Sequence, residues 1–101
     1  MGGMRLAIDQ LPGAEARVTE GQREAIEETM RIIVEEDRER GVDPAATFPC
    51  KRCGRQQPLI GSVDYEGIRL CNRCATRFEM ARMTGKARSA AAFVGQTANA
   101  R

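Results

Sequence analysis

Between Thr19 and Gly41 the apolar positions recur at helical intervals. Ile26, Met30, Ile33 and Val34, led by the stem of Arg23, fall at i, i+4, i+7 and i+8 and so share one face of a helix. Thr19 with Gln22 three places on predicts a capping box, in which hydroxyl and amide satisfy N–H groups that the first turn leaves without partners. Gly41 suits the position just past the helix, and Pro44 forbids continuation. Glu27–Arg31 and Glu36–Arg40 have i,i+4 spacing, and the opposite face is acidic, with Glu20, Glu24, Glu28, Glu35 and Glu39. The stripe is too short for a self-sufficient coiled coil, so the helix is expected to pack on the rest of the chain or to bind a partner.

The period changes further on. Pro58–Val63 and Ile68–Leu70 predict two short strands, with Asp64–Gly67 as the turn and Gly67 in its left-handed position. From Cys74 the pattern is helical again through Ala75, Phe78, Ala81 and Arg82, ending near Gly85. Residues 1–18 show little periodicity, and 85–101 are rich in Ala and Gly, so both are expected to be flexible. The chain therefore divides into a flexible segment (1–18), an acidic amphipathic helix (19–41), a compact unit (48–84) and a flexible tail (85–101).

Composition says why the compact unit needs help. Leu, Ile, Val and Phe together number 18 in 101 residues, and there is no Trp. A core that small rarely offsets chain entropy without a metal, disulfides or a partner. The absence of His excludes Ser-His-Asp triads, His-paired cysteine nucleophiles, HExxH proteases and HNH nucleases. No phosphate loop of the GxxxxGK[ST] kind is present, and no general base, nucleophile or open metal position can be assembled, so an enzyme is not expected. No membrane span and no signal peptide are read, which places the chain in a reducing cytoplasm where cysteines serve metals rather than disulfides.

All four cysteines form one pattern: Cys50 and Cys53, then 17 residues, then Cys71 and Cys74. Two residues between ligands make a knuckle that turns both sulfurs toward one ion about 2.3 Å away. Four thiolates suit one structural Zn²⁺ best. Mononuclear iron or an iron–sulfur centre is the runner-up, disfavoured by the scarcity of shielding aromatics, and redox CxxC chemistry comes third. Knuckle, hairpin and ligands opening a helix make a treble-clef-like zinc finger. The fold class expected is small α+β: a long N-terminal helix, the finger, and a flexible C-terminal tail.

Charge adds two surfaces. Residues 1–49 carry 6 Lys and Arg against 11 Asp and Glu, while residues 50–101 carry 10 against 3. Arg52, Arg55, Arg69, Arg73, Arg77 and Arg82 are the candidate contacts to a partner or to phosphates. Some of these cations also offset the charge of a zinc–tetrathiolate centre.

The finger resembles two families. Leu70-Cys71-Asn72-Arg73-Cys74 with its 17-residue spacer looks like the second knuckle of GATA-type fingers, though the hairpin tryptophan is missing. Over residues 20–83 the chain is similar to the DksA/TraR family of bacterial RNA polymerase-binding regulators. That likeness rests on Cys50-x-x-Cys53-Gly54, Pro58, Gly67-x-x-Leu70-Cys71-x-x-Cys74, Glu79, and a long helix ending at Gly41–Pro44 just ahead of the finger. Where that family has an arginine, closing its I-P-x-x-R segment, this chain has Gly61. The resemblance implies a transcription-linked regulator that docks on RNA polymerase. The alternatives are a nucleic-acid-binding finger and a zinc-stapled structural subunit of a larger assembly. No small-molecule substrate and no membrane partner are expected.

Overall fold

The computed structural model describes residues 17–99. The flexibility expected of residues 1–16 concerns a segment outside that range. Helix α1 runs Glu20–Glu39, followed by strands β1 (Thr47–Pro49), β2 (Gln56–Pro58), β3 (Val63–Tyr65) and β4 (Ile68–Leu70), then helices α2 (Asn72–Met83) and α3 (Ala90–Asn99).

The start of α1 is built as its residues dictate: the Thr19 hydroxyl accepts from Gln22 N–H at 3.1 Å, and the Gln22 amide oxygen accepts from Thr19 N–H at 2.9 Å. At its end, Gly41 N–H donates to the Arg38 carbonyl and Val42 N–H to that of Asp37, a Schellman closure. Helix α2 ends in the same way, through Gly85 to Arg82 and Lys86 to Ala81. Ile26 and Met30 are buried and Ile33 and Val34 half-buried, so the expected stripe is the packing face, lying against α2 and the finger. The stripe also contains a residue that hydropathy hides, Asp37, which is only 7% exposed. The expected i,i+4 ion pairs are different ones: Arg31 pairs with Glu28 and Glu35, and Arg40 with Asp37. Arg31 has carboxylates at i−4, i−3 and i+4 and Arg40 at i−4 and i−3, so helical spacing alone offers each arginine more than one partner.

The strands form two separate antiparallel hairpins. β1 and β2 pair Phe48 with Gln57 and frame the first knuckle, a hairpin that its three-residue strands and two prolines conceal in the sequence. In the second hairpin Asp64 and Tyr65 belong to β3 rather than to the turn, and residues 59–62 form a loop rather than a strand. The turn shrinks to Glu66 and Gly67, both at positive φ (55° and 95°), which is the turn geometry that matches the twist of paired strands.

Within the 85–101 segment, α3 is a further helix that the sequence reading did not include. Ala87, Ala90 and Phe93 are buried, and the Phe93 ring lies 5.4 Å from that of Phe78. Phe78, 1% exposed, also meets Tyr65 edge-on at 4.8 Å. A segment with one aromatic carries little periodicity of its own. It is ordered because Phe78 offers that aromatic a place to dock.

Candidate metal centre

The first cysteine pair sits at the mouth of the β1–β2 hairpin. Cys50 N–H donates to the Arg55 carbonyl at 3.0 Å and Gly54 N–H to the Cys50 carbonyl at 2.8 Å, which closes the loop around Lys51–Cys53. The second pair opens α2: Cys71 is its N-cap residue, and Cys74 lies in its first turn. That start gives the two cysteines a common face, and the dipole of α2 favours negative charge there. The four sulfur atoms lie within 4.8 Å of one another. All four are free thiols, with Cys50, Cys71 and Cys74 buried and Cys53 half-buried.

Donors surround this cluster. Cys71 N–H donates to the Cys50 sulfur at 3.4 Å, the Gln57 amide to Cys53 at 3.4 Å, and the Arg52 guanidinium to Cys74 at 3.8 Å. Burial pushes the Cys74 thiol up to about 12, although Arg52 opposes it, and burial raises Cys71 as well. Cys50 feels the same burial, but the backbone N–H groups of Cys53, Cys71 and Arg52 outweigh it and hold the thiol down at about 7. Without a cation Cys71 and Cys74 therefore favour the protonated thiol. A cation held there would favour the thiolates, and the surrounding N–H groups would stabilise them. Donor type, number and proximity fit a single metal ion and are compatible with a C4 zinc finger.

The six candidate arginines divide into two groups. Three are engaged within the fold. Arg52 bonds Cys74 and lies 4.5 Å over the Phe93 ring; Arg69 donates to the Ser62 hydroxyl at 2.8 Å; Arg82 pairs with Glu79 and covers Phe78 at 5.1 Å. Arg55, Arg73 and Arg77 are exposed, and their guanidinium groups have no hydrogen-bond or ion-pair partner among the described residues.

Sequence reasoning missed the residues that join the centre to α1. The Asn72 amide donates to the carbonyls of Met30 (3.1 Å) and Gly61 (3.0 Å), and Asp37 accepts the N–H of Gly61 at 2.8 Å. A polar residue spaced with an apolar stripe, as Asp37 is seven residues after Met30, was the available signal. Glu79 likewise serves the fold, accepting the Tyr65 hydroxyl proton at 2.7 Å. No helix among the described residues is long and apolar enough to cross a membrane. Compared with known family models, curated proteins and solved structures, the chain finds no match in any of the three.

Proposed function

We propose that the chain is a zinc-stapled, non-enzymatic interaction module of the cytoplasmic transcription machinery, with a large protein complex as its partner and RNA polymerase favoured. The observation that carries this reading is the closed four-thiol cluster, which joins the first knuckle to the start of α2. Four thiolates complete the tetrahedron that zinc prefers and leave no position for water or substrate, so the metal's role is structural. Asp37 and Asn72 then fasten α1 to the finger, so that helix and finger present one surface. The choice of polymerase is supported by the likeness to DksA/TraR regulators in layout and in the residues around both knuckles. The test is affinity capture from the native host with mass spectrometry, alongside metal analysis of the purified chain. Polymerase subunits enriched by the wild type and lost with Cys71→Ser are expected. Consistent enrichment of a different assembly would move the reading to a structural subunit.

A second reading, a GATA-like nucleic-acid binder, draws on the unpaired guanidinium groups of Arg55, Arg73 and Arg77. Such a binder loses affinity steeply with salt, with a log–log slope near about −0.9 per phosphate neutralised on duplex DNA. Weak duplex binding with a shallow slope is expected instead. Tight, steeply salt-dependent binding abolished by Arg73→Ala and Arg77→Ala would favour the second reading.

A further inference from the structure

Helices α1 and α2 pack side by side and leave a groove of about 650 Å³ between them. Met30 and Val34 of α1 and Met80 of α2, all buried or half-buried, make its floor. Its rim is cationic: Arg73 and Arg77 stand four residues apart on the exposed side of α2, with Arg23 of α1 opposite. Arg31 reaches the same groove but is held by Glu28 and Glu35, and among the described residues Glu27 is the one carboxylate that lines it. Beyond Arg73 lies a second cleft bordered by Arg55 and Gln57, so the positive edge continues toward the first knuckle.

We infer that this groove docks an acidic, amphipathic peptide segment of the partner protein, with carboxylates on Arg73 and Arg77 and an apolar side chain on the methionine floor. The inference rests on the reading of the chain as a protein-interaction module and names the chemistry of what it grips. Charge complementarity points to a carboxylate-bearing occupant, because a guanidinium fork matches a carboxylate in a bidentate pair. The i,i+4 spacing of the two arginines puts their Cβ atoms about 6 Å apart. Acidic residues at i,i+4 of a helix, or at i,i+2 of an extended strand with a rise of about 3.3 Å per residue, meet both. Methionine side chains adapt to differently shaped apolar groups, as a peptide-binding floor requires. Among the described residues that line the groove, a nucleic-acid strand would find no aromatic on which to stack a base.

The experiment uses the full metal-loaded chain and a fluorescein-labelled peptide with Glu at i and i+4 and Leu on the same face, read by fluorescence anisotropy. Saturable binding is expected, weakened by salt. Arg73→Gln with Arg77→Gln should lower affinity by about tenfold, since both carboxylate contacts are lost together. Arg88→Gln, exposed and outside the groove, should leave affinity unchanged. Both positions are on the surface, and circular dichroism verifies that the variants fold. Absence of binding, or equal binding by the double variant, overturns the inference. Tighter binding of an oligo-dT of equal charge, lost with the same two arginines, overturns it in favour of nucleic acid. Self-association through Arg73 and Arg77 that blocks the peptide overturns it in favour of a second copy. Polymerase capture by the double variant in host lysate would sink the groove alone, whereas peptide binding without polymerase capture would sink the polymerase reading alone.

Discussion

The carboxylate of Asp37 on α1 accepts the backbone N–H of Gly61 at 2.8 Å, in the loop that precedes β3. Asn72 of α2 takes up the carbonyl of the same residue at 3.0 Å, so two helices satisfy both polar groups of one buried glycine. A side chain at 61 has no room, since a Cβ there would lie 2.6 Å from Val34 Cγ2, and the φ of +84° disfavours any other residue. At this position the loop lies directly against α1.

Asp37→Ala leaves the buried Gly61 N–H without an acceptor and should destabilise the fold by about 1–3 kcal/mol. Loss of the Arg40 ion pair adds little, because that guanidinium is mostly in water. Urea unfolding checks this against Glu36→Ala, an exposed neighbour expected to change stability by less than about 0.5 kcal/mol.

Removal of the metal should unfold residues 48–84. Structural zinc contributes about 10–16 kcal/mol in small fingers, and the 18 Leu, Ile, Val and Phe residues provide little to replace it. Far-ultraviolet circular dichroism during titration with a chelator, with released zinc measured in parallel, should show one zinc per chain and a cooperative loss of structure.

The single tyrosine gives a clean readout of alkaline pH. Burial raises the Tyr65 hydroxyl well above its ordinary value, and the hydrogen bond to Glu79 adds to the effect. The folded state thus holds this proton longer than the unfolded chain does. Its stabilising contribution is complete below the ordinary tyrosine value of about 10 and declines as pH rises above it. Tyrosinate absorbance near 295 nm should appear together with unfolding rather than before it, and Glu79→Gln should bring it to lower pH.

The stripe on α1 can be tested with two neighbours of similar character. Met30, 5% exposed, should cost about 2–5 kcal/mol on replacement by Ala. Ile32, 39% exposed, should cost far less under the same substitution, which thermal unfolding would show.

Helix α3 should depend on one contact set. Phe93 packs on Phe78 and beneath the Arg52 guanidinium, which also reaches Cys74. Phe93→Ala should release α3 from the finger while the metal stays bound, seen as faster amide exchange over 90–99 with unchanged zinc content.

Local chemistry made much of this protein legible from the order of its residues. The capping box at Thr19, the helix stop at Gly41 and the two CxxC knuckles each act over a few residues, so sequence spacing alone determined α1 and singled out the four cysteines that cluster. The i,i+4 stripe of Ile26 and Met30 likewise determined which face of α1 is buried. What tertiary structure decided were the pairings between distant segments. Asp37, Gly61 and Asn72 are separated by 24 and 11 residues along their hydrogen bonds, and no local pattern marks polar groups that satisfy one another only after the chain has closed. The same holds for α3, whose order comes from Phe78 across the fold, and for the arginines. Only the folded neighbourhood separates Arg52, Arg69 and Arg82, engaged by a thiol, a hydroxyl and a carboxylate, from Arg55, Arg73 and Arg77, whose charge is left at the surface.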